Sequence, residues 1–397
     1  LNRVAGRSPY PASDAVRYAV INERDRGLLV AAGVPESRVG LLRNPMPEEE
    51  LADETAPPVD RERVAARLRD FADDHGYRFN PDGPILLYPI RAIRRKNVLE
   101  IATISRLVPN ANLLVTLPGV SESERPYSEL VRYAYEERRI HGLFGIGRRE
   151  AEYALTYEEI AHACDLVVSS SVQEGFGLLF VNALRWRRPL LARRLDVLSG
   201  IDALFEDYPA RLYDGFSVPV RSPTVTSMKA YLRMRYGERL AELEPVLPTA
   251  ARERIETQLD EMLAGESIDF SYLPPQMQLT ILGDVRDRGF GALVQALNPD
   301  VVSAAAALAT QPPPSRSNEL AALLGYRAYA KEIETLWESA VEQRATGTDE
   351  PHGREARSEV TGDARGRFEG VQEHLVAAFA GLAQVRLLLG PIDHSDH

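Results

Sequence analysis

The sequence predicts an α/β protein, with a Rossmann-like parallel sheet in its middle and helices from there to the end. Two observations predict it. Between Pro84 and Ala192 five short apolar runs alternate with amphipathic helical stretches, the order required by a parallel sheet covered by helices. From Met228 onward the apolar residues recur almost only at helical spacing.

The elements follow in chain order. Val16 to Ile21 (VRYAVI) reads as a short buried strand, and Asn22 caps a helix over Glu23 to Ala32 that closes at Gly33. Val39 to Leu42 is a second strand. Pro47 to Asp60, acidic and rich in proline, reads as a linker or loop. Arg61 to Phe71 is helical, Pro84 to Tyr88 (PILLY) a buried strand and Asn97 to Leu107 a helix. Asn112 to Leu117 is a strand, Glu124 to Arg138 a helix and His141 to Phe144 a short strand. Thr156 and Glu159 have capping-box spacing and open a helix to Ala163. Leu166 to Ser169 is a strand, Gly177 to Arg187 a helix and Pro189 to Ala192 the last strand. Met228 to Thr310 is helical throughout. Ser317 caps a helix pair over Asn318 to Gln343, Arg344 to Gly366 reads as a polar linker, and Phe368 to Leu389 as a terminal helix.

Composition narrows the function. A chain of 397 residues with 44% apolar content can bury a sizeable core. Its net charge of -11 disfavours non-specific binding to nucleic acid or anionic membrane, so an anionic ligand requires a local reversal of sign. No stretch reaches the roughly 20 apolar residues that span a bilayer. The one cysteine, Cys164, lies in an apolar run and reads as core packing. A single cysteine fits a reducing, cytoplasmic setting. No His/Asp cluster calls for a metal, and no cofactor is expected.

Three segments stand out, and a doubly wound sheet would gather them outside the carboxyl ends of its strands. Arg91, Arg94, Arg95 and Lys96 follow the strand PILLY. They fit a diphosphate, or else form an ordinary solvated basic loop. Ser169 to Leu178 joins a buried strand to a helix through Gly175 and Gly177, which would let backbone N–H groups at the helix start approach an anion. A plain strand-to-helix connection fits the same glycines. Glu174 stands just before that turn, where a carboxylate suits sugar hydroxyls better than phosphate. Asn182, eight positions on, either follows the ligand edge or is a routine polar helix residue.

Order and spacing join these segments. The run AHACDLVVSSSVQEGFGLLFVNA (Ala161 to Ala183), followed by RPLLA (Arg188 to Ala192), closely resembles the donor-site signature of the large retaining GT-B glycosyltransferases of family four. The resemblance covers about Val16 to Pro219. It implies a GT-B Rossmann-like donor domain with a helical insertion and C-terminal helices. It also implies a hexosyltransferase that takes a nucleotide-diphosphate sugar as co-substrate and transfers the hexose, with retention, to an acceptor the sequence does not reveal. Arg91 and Lys96 match the family's basic pair and would hold the diphosphate, stabilising the charge that develops on it. Gly145 and Ile146 would line the base pocket. Glu174 with the backbone of Gly175, Phe176, Gly177, Leu178 and Leu179 would hold the transferred sugar and the phosphates. On that basis Glu174, Arg91 and Lys96 are the expected catalytic groups.

The sequence departs from the family's pattern at three positions. Asn182 stands where a second glutamate holds the ribose, Ile90 replaces the glycine before Arg91, and Arg187 replaces the glycine before the final strand. An amide binds a diol without charge assistance, so weaker donor binding is expected. The resemblance divides the chain into residues 1–48, the end of an acceptor domain, and 80–222, the nucleotide-sugar domain. Residues 223–310 form the helical insertion, 311–345 a helix pair, and 346–397 a linker with a terminal helix. The acceptor domain's glycine-rich loop has no counterpart, so the chain reads as a fragment that is inactive alone and prone to associate through its exposed N-terminal strands. A non-catalytic binding or scaffold protein on the same fold is the alternative.

Overall fold

The computed structural model describes residues 16–51, 59–245, 247–308, 310, 313–346 and 380–390. Its centre is a six-stranded sheet, parallel throughout. The strands are β3 (Ile85–Arg91), β4 (Asn112–Leu117), β5 (Gly142–Phe144), β6 (Leu166–Ser169), β7 (Leu190–Arg193) and β8 (Ala210–Tyr213), in the order β5-β4-β3-β6-β7-β8. The chain steps outward from β3 through β4 to β5, then returns to the other side of β3 for β6 to β8. The strand order therefore reverses between β3 and β6, the switch point outside which a doubly wound sheet offers its ligand crevice. β3 pairs with β6 only through Leu86 and Leu87. Beyond Tyr88 its register with β4 shifts at Pro89, which has no N–H to give the ladder, and the strand runs on to Arg91.

Helices α3 (Arg61–Asp74), α4 (Val98–Leu107), α5 (Arg125–Glu136), α6 (Tyr157–Ala163) and α7 (Leu178–Arg185) cover the sheet. The capping box at Thr156 and Glu159 forms in full. β8 is a sixth strand that the sequence reading passed over. Its exposed Arg211 and partly buried neighbours give it the pattern of an edge. The stretch after Met228 is not purely helical either. Ser267–Asp269 (β10) pairs antiparallel with Ser217–Pro219 (β9), between α8 (Met228–Leu243), α9 (Thr249–Ala264) and the helices α10 (Pro275–Asp284), α11 (Arg288–Leu297) and α12 (Pro299–Leu308). Three-residue strands leave too short a pattern to read from sequence. One apolar core joins the sheet, its helices and this later segment, from Met46 to Leu389.

At the N-terminal end β1 (Tyr18–Val20), α1 (Glu23–Ala31) and β2 (Val39–Leu41) make a small parallel β-α-β unit with its own apolar cluster of Leu29, Ala32, Val34 and Val39. The expected linker from Pro47 holds a short helix, α2 (Glu48–Leu51), fastened by the fully buried Leu51, and residues 52–58 lie outside the description. Helices α13 (Ser317–Leu324) and α14 (Tyr326–Thr346) return to this end, where Leu324 accepts a hydrogen bond from Met46 and Arg43 pairs with Glu332. Of the expected terminal helix only the turn α15 (Leu382–Val385) and its flanks are described. The polar linker expected over Arg344 to Gly366 lies outside the description, apart from the end of α14. No helix among the described residues is long and apolar enough to cross a membrane.

Candidate functional site

The loops after β3 and β6 are tied to each other by one backbone bond and by side-chain hydroxyls. Val172 N–H donates to Arg95 carbonyl at 2.9 Å and Ser170 Oγ to Asn97 carbonyl at 2.9 Å, while Tyr88 Oη bonds to Lys96 carbonyl at 2.7 Å and lies 2.9 Å from Ser171 Oγ. Asn97 takes the left-handed conformation, φ 51°, and turns the chain from Arg94–Lys96 into α4. Its amide is buried between Glu100 and Gln278 of α10. The turn that carries the cations is thus fixed from below by the later helices.

On this frame Lys96 Nζ forms a salt bridge with Glu174 Oε1, and Arg95 Nη1 reaches Glu174 Oε2 at 3.1 Å. Lys96 and Glu174 are both buried, 9% and 8% exposed. Burial pulls the Lys96 ammonium below the usual lysine range, against the opposing attraction of Glu174. The four cations do not act alike. Arg91 turns outward to Glu124, 3.2 Å away, whose carboxylate also accepts from the N–H groups of Val120 and Ser121. Those backbone bonds, more than Arg91, hold Glu124 below the usual carboxylate range. Arg94 turns the other way and donates to the carbonyls of Ser271, Leu273 and Arg386, so it anchors the later helices and is not available to a ligand.

Between Glu174 and α7 the backbone is left open. Among the described residues, no N–H from Glu174 through Leu179 donates to a protein acceptor. Gly177 has φ 84°, a conformation a side chain would strain, and its position starts the helix so that the N–H groups of Leu178 and Leu179 face outward from the first turn. A row of unpaired N–H groups ending in a helix N-terminus, beside Lys96 and Arg95, has the donor chemistry to receive an anion.

No family model matches the chain. Mannosylglucosyl-3-phosphoglycerate synthase of Petrotoga mobilis is 30% identical to it over 278 residues, which span 70% of this chain and 52% of that enzyme. The chain spans about half the length of this curated relative. Similar solved structures include sucrose-phosphate synthase from Thermosynechococcus elongatus, at 15% identity and TM-score 0.38, covering 82% of this chain and 58% of that one. The Anabaena protein HepE in complex with UDP-glucose is 13% identical with TM-score 0.35, over 74% of this chain and 64% of that one. The catalytic domain of starch synthase IV from Arabidopsis thaliana, bound to ADP and acarbose, is 11% identical with TM-score 0.34, over 82% and 56%. At such scores the likeness does not reach the detail of a site.

The residues singled out from sequence fall into two groups. Lys96, Glu174 and the backbone from Gly175 to Leu179 meet at the crevice. Phe176 is partly buried, the Leu178 side chain is exposed and that of Leu179 is packed inward. Gly145, with φ 89° and open space beside it, follows β5, three strands from β6. Ile146, expected to line the base pocket, is fully buried and presents no surface to a ligand. Asn182 is partly exposed on α7, and its side chain makes no hydrogen bond among the described residues. Ile90, in the family's glycine position, is packed inward at 7% exposure.

Two groups at the site escaped the sequence reading. Asn22 Nδ2 donates to Gly175 carbonyl at 2.7 Å, and Arg24 Nη1 to Glu174 carbonyl at 3.1 Å. Asn22 was legible only as a helix cap. Nothing in local pattern signals a contact 153 positions away.

Proposed function

We propose that the chain binds a nucleoside-diphosphate sugar at the β3/β6 crevice and serves transfer of its hexose, with retention, to an acceptor hydroxyl. The observation that carries this reading is the row of unpaired N–H groups from Glu174 to Leu179 beside Lys96. Together they offer a diphosphate both aligned backbone donors and a cation in a weakly solvated place. As the sugar–phosphate bond breaks, negative charge grows on the leaving diphosphate, and donors already fixed there stabilise it without reorganising. Lys96 and Arg95 supply the charge, with the exposed Arg91 at the rim. The Glu174 carboxylate accepts from sugar hydroxyls. Gly145, with no side chain over open space, leaves room for the base near β5, and Asn182 is positioned on α7 to meet the ribose. The hexose is supported by the relative's product, which its name gives as carrying mannosyl and glucosyl groups.

Titration calorimetry with ADP, GDP and UDP tests the reading. One of them should bind in the micromolar range or tighter, and Lys96→Ala should weaken it by about 1.5–3 kcal/mol, the range for hydrogen bonds to charged groups. Absence of binding by all three, or an affinity indifferent to Lys96, would overturn it.

A further inference from the structure

The loop that offers its N–H groups is itself held from the opposite side. Asn22 follows β1 and caps α1, with its Oδ1 accepting from Asp25 N–H at 2.7 Å. Because a backbone N–H can only donate, that bond fixes which end of the amide is oxygen, and Nδ2 is left to face Gly175 carbonyl. Asp25 orients the neighbouring arginine as well, accepting from Arg24 Nε at 2.9 Å and Nη2 at 2.8 Å. Arg24 Nη1 then reaches Glu174 carbonyl, with Asp196 Oδ1 at 3.4 Å on its other side. Asn22 is 6% exposed, so this is an enclosed contact and not a rim bridge. A trans peptide points its N–H opposite its C=O. Arg24 and Asn22 hold two successive carbonyls toward the β-α-β unit, and so turn the N–H groups of Gly175 and Phe176 away from it.

We infer that Asn22 and Arg24 form a clasp that sets the orientation of the donor loop's N–H groups, so that diphosphate binding and docking of the β1-α1-β2 unit reinforce each other. The inference rests on the donor reading above. Neither side chain touches the ligand, and both act through the Glu174 and Gly175 peptide groups. The unit can serve as a partner in such coupling because its small apolar cluster is separate from the main core. Its hold on the donor loop is polar. A ligand that needs the clasped loop must favour the docked unit by the same factor as docking favours the ligand.

The test uses Asn22→Ser and Arg24→Ala in the whole chain. Serine still caps α1 but is too short to reach Gly175 carbonyl, so the melting temperature should stay near that of the parent. Affinities for a nucleoside diphosphate and the matching monophosphate are compared by calorimetry, with Lys96→Ala as the control. Each clasp variant should weaken the diphosphate about tenfold and the monophosphate far less, because the loop's donors serve the phosphates. Hydrogen exchange should show that the diphosphate protects amides of α1 in the parent and no longer does so in the variants. A diphosphate-to-monophosphate ratio unchanged in both variants, while Lys96→Ala still lowers affinity, overturns the clasp and leaves the donor reading intact. If the parent binds no nucleoside diphosphate, both fall together.

Discussion

Lys96 and Glu174, 78 positions apart in sequence, meet as a buried ion pair across the crevice where the strand order reverses. The pair leaves the lysine occupied before any ligand arrives, so the carboxylate competes with a phosphate for the same ammonium. Glu174→Gln separates the two roles. It removes the competing charge, so affinity for a bare nucleoside diphosphate should hold or rise. Affinity for the matching nucleotide sugar should fall by about 1.5–3 kcal/mol, the weight of a charged hydrogen bond to sugar hydroxyls. Calorimetry with the two ligands side by side decides it, and equal losses for both would place Glu174 on the phosphates.

Arg91 is expected to matter less than Lys96. Its guanidinium is 43% exposed and already shares Glu124, a carboxylate further engaged by two backbone N–H groups. Screening by solvent keeps such a charge to about 1 kcal/mol or less. Arg91→Ala should therefore weaken a nucleoside diphosphate by no more than about fivefold, with the loss shrinking as salt is raised. A loss equal to that of Lys96→Ala would mean that Arg91 turns inward on the ligand.

The alternation of strands and helices from Pro84 to Ala192 was legible because buried parallel strands read as continuous apolar runs and the covering helices as amphipathic ones. The two loops were legible for the same reason, since they sit where those patterns stop. Which cation faces the ligand was not. Arg94 and Lys96 are two positions apart on one short turn, yet Arg94 bonds to three carbonyls of distant segments while Lys96 faces Glu174. That divergence depends on the left-handed Asn97 and on the later helices beneath it. The clasp was hidden in the same way, since its bonds to Glu174 and Gly175 come from another folding unit.

Arg187 offers a stability test of one departure from the family pattern. It follows α7 with φ 52°, while its own N–H donates to Leu184 carbonyl and that of Arg188 to Ala183 carbonyl. Those two bonds define a helix end whose left-handed residue is usually glycine. An L-residue there costs about 1–2 kcal/mol, and glycine returns roughly half of that as extra freedom in the unfolded chain. Arg187→Gly should thus stabilise by about 0.5–1 kcal/mol in chemical denaturation. A loss of stability would show that the arginine side chain outweighs the backbone strain.

Asn182 lies on α7 eight positions after Glu174, with no hydrogen bond to its side chain among the described residues. If it receives the ribose, Asn182→Glu should preserve or tighten nucleotide affinity by adding charge to the acceptor, and Asn182→Leu should weaken it by about 1 kcal/mol. Identical affinities for all three side chains would remove this residue from the site.

The acid limb of stability should be shaped by His141. Burial first, then the adjacent guanidinium of Arg106 with Nη1 2.7 Å from Nε2, lower this imidazole to about 4. The unfolded chain takes up that proton near pH 6.5. Between those two values it binds more protons than the folded chain, so stability falls as pH drops through the window and is unaffected above it. The ring is only partly buried, which limits the loss to roughly 1–2 kcal/mol by pH 4. His162, also held below its usual value, by burial and then by Arg188, adds to the same limb. His141→Gln should therefore flatten part of the slope in denaturation curves collected from pH 4 to pH 7 and leave the neutral plateau near its original level. A slope as steep as that of the parent would show that Arg106 moves aside and lets His141 protonate within the fold.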